Sequence, residues 1–358
     1  MHRSPTNRAL RVDAEAALTL ELVELPEPGP GEVRVRVFAS SATLSDSVVR
    51  RGFSPYLQHV AAPFTLGYDL VGRVESLGTG VSGLRIGDWV ADVTRYGANA
   101  DFVVRPAASL TPLPADTEPV SAEPLVMSGM TALQMLTRVA RLSRGESVLV
   151  VGASGSVGLH AVALAKLLGA SVVLGTASSA KLELLADLGA VPIDRERADL
   201  ADGVQRTLPR GVDVILDSVG GGALAGLGQL LAPSGRLVTF GLSGLARGGL
   251  RKTPASLDRV GQAFGEGRAA LAQLNAAGER RAADYDVTTL REQHRDWYDA
   301  DLHWLLAQLR NGSLRSVFEA RPLEHAIEVH SDIDAGRVRG RLVFDHLARV
   351  NPSPRSTS

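Results

Sequence analysis

Residues 148–166 constrain the fold more than any other stretch. Val148, Leu149, Val150 and Val151 form an unbroken apolar run, the pattern of a strand buried on both faces of a parallel sheet. A turn of small residues follows: Gly152, Ala153, Ser154, Gly155 and Ser156. Val157 to Leu168 is rich in Ala, Leu and Val and reads as a helix. Strand, small-residue turn and helix start together make the opening of a βαβ unit that binds a dinucleotide. The first N–H groups of such a helix have no partner inside it, and with the helix dipole they form a cradle for a pyrophosphate. Ala153, Gly155 and Gly158 take the three glycine places, so the first is alanine. An ordinary strand–helix turn in an α/β core is the plainer reading of the same residues.

The next apolar run, Val172 to Leu174, leads to Gly175 and Thr176. A site for NAD places Asp or Glu near there, on the ribose 2′-hydroxyl. Gly175 offers no carboxylate, and Ser178, Ser179 and Lys181 follow. Hydroxyls and an ammonium suit a 2′-phosphate, so the expected cofactor is NADPH. A helix N-cap at Ser178 or Ser179 with an exposed lysine behind it is compatible with this reading.

At 358 residues, the chain is long enough for two domains, and an apolar fraction of 45% supports substantial cores. A net charge of −1 gives no basis for a nucleic-acid partner. The absence of cysteine removes disulfides, thiolate zinc ligands and a cysteine nucleophile. No secretory leader or run of 18 apolar residues is found, so a cytoplasmic protein without a membrane partner is expected.

Taken in order, residues 1–8 and 351–358 are polar and read as frayed. Strands are expected at 32–37, 70–77, 86–94 and 102–104, with a short helix near 46–50. Many short strands with Gly and Pro turns define a β-rich first domain. Near Ala122 the rhythm changes. A helix over 126–139 precedes alternating segments at 148–151, 157–168, 172–175, 179–188, 212–217, 223–231 and 236–240. That alternation predicts a doubly wound parallel sheet. The expected domains are 1–123 with 311–358, and 124–310, the latter with a charged helical insertion at about 250–305. Trp297, Tyr298, His303 and Trp304 read as packing or a subunit contact. A helix over 323–330 and a strand over 340–344 close the chain.

Several stretches together resemble the medium-chain dehydrogenase/reductase superfamily, in its zinc-free quinone oxidoreductase-like branch. They are Gly67-Tyr68-Asp69 with Gly72, Val74, Gly78, Gly87 and Asp88; Gly145 through Gly158; Gly211 through Gly220; and Leu323, Glu324, Ala326, His330, Gly336, Gly340 and Leu342. Gly175-Thr176-Ala177-Ser178 and Asp194-Arg195 resemble the vesicle amine transport protein-like group. The resemblance implies a GroES-like β-domain joined to a Rossmann domain, a homodimer, and a small-molecule substrate in a cleft between domains. Carried over by position, it places Thr131 at the nicotinamide carboxamide. It places Ser154, Gly155, Ser156 and Val157 at the pyrophosphate, and Thr176, Ser178, Lys181 and Arg195 toward the adenosine ribose and its 2′-phosphate. Ser218, Phe240 and Gly241 fall along the nicotinamide ribose.

Zinc members of the superfamily carry His where Tyr68 stands, and cysteine ligands that this chain lacks; no metal site is expected. Without a metal Lewis acid, reduction of a quinone or an activated C=C is easier to support than alcohol oxidation. The developing enolate or phenolate needs only one or two hydrogen-bond donors. The family loop carries an Asn and, five residues on, a Tyr; here Thr43 and Val48 stand in those places. Thr43, with Tyr56 on the following turn, is therefore the candidate catalytic pair. The expected activity is NADPH-dependent reduction of a quinone or α,β-unsaturated carbonyl. An enoyl or tailoring reductase of a natural-product pathway, and a nucleotide-binding member without turnover, are the alternatives.

Overall fold

The computed structural model describes residues 6–54, 60–241, 243, 254–276, 278, 281–338 and 340–348. The chain forms two compact units, one from residues up to Val126 together with those from Phe318 on, the other from Met127–Val317. No helix among the described residues is long and apolar enough to cross a membrane.

The first unit is built on strands β1 (Thr6–Val12), β2 (Leu18–Glu24), β3 (Glu32–Ala42), β4 (Phe64–Thr65), β5 (Asp69–Leu77), β6 (Trp89–Val93), β7 (Phe102–Pro106) and β8 (Thr111–Pro112). Two late strands join it, Phe318–Pro322 and Arg341–Asp345. Strand β1 pairs antiparallel with β2 and β4, and β3 lies in the larger sheet between β5 and Arg341–Asp345. Alternation explains the core. Val33, Val35 and Val37 point inward from β3 and meet Leu70, Val74, Val90 and Val103, all buried. Each such side chain contributes about 1.5–3 kcal/mol when taken from water.

Residues 6–8, expected to fray, instead begin β1, paired from Thr6 opposite Glu24 to Val12 opposite Leu18. Their polar side chains are used in long-range ties. The Asn7 amide donates to the Phe102 carbonyl at 2.8 Å and accepts from the Phe102 N–H at 2.9 Å. Arg8 forks onto Asp101 and also pairs with Glu324.

A short helix, Leu44–Arg50, follows β3, and the helix Ala326–Asp334 packs on it. Asp334 pins the pair, accepting from Ser47 Oγ at 2.6 Å and from Arg50 at 2.5 Å. Within this layer His330 is 1% exposed, and neither ring nitrogen has a hydrogen-bond partner.

The second unit is a parallel sheet of β9 (Ser147–Val151), β10 (Val172–Ala177), β11 (Val191–Asp194), β12 (Val212–Asp217), β13 (Leu231–Thr239) and β14 (Arg281–Asp284). The two late strands of the first unit are β15 and β16 in chain order. The sheet runs β11-β10-β9-β12-β13-β14. The order reverses direction between β9 and β12, and ligands of such sheets bind beyond the strand ends at that point. Strand β9 is buried along its whole length, which explains its unbroken apolar run.

Two segments differ from expectation. The helical stretch before β9 starts at Pro119, with proline in the first turn where its missing N–H costs nothing, and continues to Val139. It includes two wide turns, Leu125–Gly129 and Met135–Val139. Residues 250–305, expected as an insertion, supply the helix Pro254–Ala276 and then β14, the sixth strand of the sheet. Arg281-Ala282-Ala283-Asp284 has charged ends and no alternation, so its sequence gives no strand signal.

Burial holds the His330 imidazole at a pKa of about 4, aided by the charge of Arg50. The unfolded chain therefore takes up this proton first, and stability is lost as pH falls from about 6.5 toward 4. The expected loss is about 3 kcal/mol. Asp46 and Glu123 titrate with the opposite sign in the same range, so the loss is read as a difference: denaturant unfolding at both pH values should show the stability of the native chain falling relative to His330→Leu by about that amount.

Candidate functional site

Two groups of candidate residues take shape, one in each unit. In the second unit the group lies at the carboxyl ends of β9, β10, β12 and β13. The chain leaves β9 through Gly152 at φ +82°, where a Cβ would come within 2.2 Å of Ser218 Oγ. At Gly158 a Cβ would meet the Gly152 carbonyl at 2.5 Å. These contacts press the helix Ser156–Leu167 onto the end of the strand. Gly155 is its N-cap and supplies no side-chain bond, so the first N–H groups of the helix are not capped by it. Ser154, Ser156 and Val157 are half-buried in the same turn, and Ser156 Oγ donates to Ser128 Oγ at 2.7 Å.

Thr176 is buried and holds the loop. Its hydroxyl accepts from Gly152 N at 2.9 Å and its carbonyl from Ala153 N at 3.0 Å. At Gly175 a Cβ would sit 2.9 Å from Ala153 Cβ, so β10 has no side chain at that point. Past β10, Ser178 makes no side-chain cap bond and precedes a single tight turn, Ser179–Lys181, in which Lys181 is half-buried. Arg195 is exposed, and its N–H donates to Ala177 O at 3.0 Å.

Sequence reasoning missed two acids beside this turn. Asp194, at the end of β11, accepts from Ser179 Oγ at 2.6 Å, and Glu196 Oε2 accepts from Ser179 N at 3.3 Å. The Ser179 hydroxyl, then the Glu196 N–H, hold the Asp194 carboxyl below its ordinary pKa. Only the parallel pairing of β10 with β11 brings Asp194 opposite Ala177.

Beyond β12, Ser218 Oγ donates to Val151 O at 3.0 Å, and Asp217, fully buried, accepts from Val219 N, Gly220 N and Thr239 Oγ1. Phe240 is fixed by its N–H on Asp217 O, and a Cβ on Gly241 would meet Ser218 O at 3.2 Å. Thr131 is 6% exposed. A third residue that sequence reasoning missed, Tyr285, follows β14 and bonds through its hydroxyl to Gln134 Oε1 at 2.8 Å and to Thr131. The phenol is raised well above its ordinary pKa by burial and stays neutral. Gln134 and Arg138 both donate to Asp301. The aromatics near 297 do pack. Trp297 stacks on His294 at 3.9 Å, and Tyr298 is buried beneath Arg291.

In the first unit, Thr43 is the N-cap of Leu44–Arg50 and forms a capping box with Asp46. Its N–H donates to Asp46 Oδ2 at 2.7 Å and its hydroxyl to the same oxygen at 2.8 Å. Tyr56, the other candidate of this group, lies outside the described residues. Behind Thr43 is a fully buried set of charges: Asp46, Asp69, Glu123 and Arg341. Arg341 holds Glu123 by two bonds, of 2.8 and 3.1 Å, and pairs with Asp69, which also accepts from Ser41. Three carboxyls share one guanidinium. Burial pushes Asp46 up to about 7 and Glu123 up to about 8, so the set retains protons near neutrality.

With this geometry in view, comparison with known proteins gives the family. The family of alcohol dehydrogenase GroES-like domains matches residues 29–115, and the zinc-binding dehydrogenase family matches residues 156–260. The synaptic vesicle membrane protein VAT-1 homolog of Rattus norvegicus is 34% identical over 253 residues, 70% of this chain. That match spans 62% of the rat protein's length. The quinone oxidoreductase from Coxiella burnetii superposes with a TM-score of 0.75 at 25% identity, over 95% of this chain and 99% of that one. The mycobacterial protein Rv1454c, solved in complex with NADPH, superposes with a TM-score of 0.76 at 26% identity, over 94% and 99% of the two chains. The chain belongs to the medium-chain dehydrogenase/reductase superfamily and is quinone oxidoreductase-like.

The closeness of the turn to its helix has a measurable consequence. Gly158→Ala forces a Cβ against backbone, and overpacking of this kind costs about 1–3 kcal/mol. A thermal melt should show the loss, while Gly226→Ala, at a helical position with open space around it, should raise or hardly change the midpoint.

Proposed function

We propose that the protein is a zinc-independent, NADPH-dependent reductase that transfers hydride to a quinone or an α,β-unsaturated carbonyl. The observation that carries this reading is the second half of β10, where neither Gly175 nor the terminal Ala177 offers a carboxylate and Ser178 and Lys181 follow, beside a helix start whose N–H groups suit a pyrophosphate. The residues fit the dinucleotide: glycines bring backbone close, and a Cβ at Gly152 would strike Ser218 and one at Gly158 the turn itself, displacing the helix start from the strand end. Ser154, Gly155, Ser156 and Val157 take the pyrophosphate. Ser178, Lys181 and Arg195 take the 2′-phosphate, and Thr176 holds the loop in shape. Ser218, Phe240 and Gly241 line the nicotinamide ribose, and Thr131, braced by Tyr285, meets the carboxamide.

When bound, NADPH supplies a hydride to the conjugated carbon of the acceptor. The chain's own part is to fix the ring and to offer a donor where negative charge develops on the substrate oxygen. Thr43 is that donor in this reading. Zinc independence is supported by a sequence without cysteine and by Tyr68 in the position where zinc members of the superfamily carry histidine. A homodimer in the cytoplasm belongs to the same reading and is checked by light scattering and cell fractionation.

Incubation with NADPH and a panel of quinones, enones and enoyl thioesters should show oxidation at 340 nm with at least one class. Calorimetry showing tight NADPH binding with no turnover on any acceptor would instead indicate a nucleotide-binding member without catalysis. Lys181→Ala removes one charge-assisted contact, worth roughly 1.5–3 kcal/mol. The dissociation constant for NADPH should rise about tenfold or more, with that for NADH nearly unchanged. Equal effects on both would make Lys181 structural.

A further inference from the structure

We propose that Asp46 is a positioning residue acting through Thr43: its protonation state decides whether the Thr43 hydroxyl turns inward or is offered to the substrate oxygen. The proposal rests on the reading of Thr43 as the donor to that oxygen. As described above, Thr43 gives both its N–H and its hydroxyl hydrogen to a single oxygen, Asp46 Oδ2. A hydroxyl has one hydrogen to give. While Asp46 is a carboxylate, that hydrogen is committed inward and Thr43 has none left for a substrate.

The other oxygen of Asp46 breaks the symmetry. Oδ1 is buried and has no hydrogen-bond partner, in a side chain with no solvent exposure. A proton on Oδ1 would find no acceptor. A proton on Oδ2 finds Thr43 Oγ1 2.8 Å away. In the acid form the bond therefore runs from Asp46 to Thr43, and the Thr43 hydrogen is released to point elsewhere. The second bond to Thr43 does not fix the hydrogen, because Asp46 N donates to Thr43 Oγ1 at 3.3 Å and uses only a lone pair.

The surroundings place the switch in a useful range. Burial raises the Asp46 carboxyl to about 7 against the two hydrogen bonds from Thr43, with Asp69 on β5 adding to the rise and Arg341 on β16 opposing it. Glu123 shares Arg341 and draws off part of its compensation. The helix Ala326–Asp334 packs on the helix of Asp46 and brings Asp334, which is bound to Ser47 and Arg50, and the neutral His330. Proton balance also closes. After hydride adds to carbon, Thr43 gives its proton to the enolate or phenolate, Asp46 passes its own to Thr43, and Asp46 ends ionised.

The test is the pH dependence of kcat at saturating NADPH with the best acceptor of the panel. In the native chain kcat should fall about tenfold per pH unit above an inflection near neutrality, because the acid form is the competent one. Thr43→Val should lower the acid-side plateau by about a hundredfold and abolish the inflection. Thr43→Ser should restore the inflection, which a purely structural cap would not require. Asp46→Asn should also lack it. Should that variant not fold, the Thr43 pair decides alone. Infrared difference spectra of the native chain should show a carboxylic C=O band titrating with the same inflection, and the band should persist in Thr43→Val. An inflection unchanged in Thr43→Val overturns the proposal and leaves the reductase intact. An absence of any NADPH oxidation by the native chain overturns the reductase reading instead, and the proposal with it.

Discussion

The start of the helix Ser156–Leu167 comes as near to β9 as three missing side chains permit. Gly152 makes room for Ser218, Gly158 for the turn's own carbonyls, and Gly175 for Ala153. At Gly158 the crowding is against backbone, which no rotamer change can relieve. Because the turn is held there, Thr176 can satisfy two of its N–H groups, and those at the helix start are left uncapped by Gly155. The sheet order then brings the ends of β10, β12 and β13 around that helix start. In the same unit Tyr285, which follows β14, braces Thr131.

The first unit solves a different problem. Its strands are short and its turns many, so long-range polar ties replace a deep apolar core at the seams. Arg341 sits with no exposure between Asp69 and Glu123. Removing one partner of such a set leaves an unpaired buried charge, which is more costly than the set is favourable. Excess carboxyl over guanidinium is met by keeping protons bound. The polar chemistry of Thr43 and Asp46 is therefore set by residues distant in sequence, contributed by β5, β16 and the helix Pro119–Pro124.

Period and composition made much of this legible. The apolar run at 148–151, the glycine positions after it, and the alternation of Val33, Val35 and Val37 each reflect a local steric rule, and each appears in the structure where the rule places it. What stayed hidden depended on pairing. Asp194 faces Ser179 only because β11 lies parallel to β10, and Tyr285 reaches Gln134 only because a strand with no alternation completes the sheet. The N-terminal residues read as frayed because they are polar, yet that polarity is what ties Asn7 and Arg8 to Phe102 and Asp101. Thr43 was legible as a hydroxyl, but not as one whose hydrogen is already committed, since that depends on the helix start it caps.

The packing of Gly175 against Ala153 closes one position of β10 to any side chain. The usual route from NADPH toward NADH places an acid at the end of the second strand. Here that strand ends at Ala177, and Gly175, two residues inside it, is the position where a Cβ would come within 2.9 Å of Ala153 Cβ. A carboxylate at this end of the sheet is therefore open to Ala177 and the residues after it, and closed to Gly175. Among those residues Ser179 already has two acids beside it, Asp194 on its hydroxyl and Glu196 on its N–H.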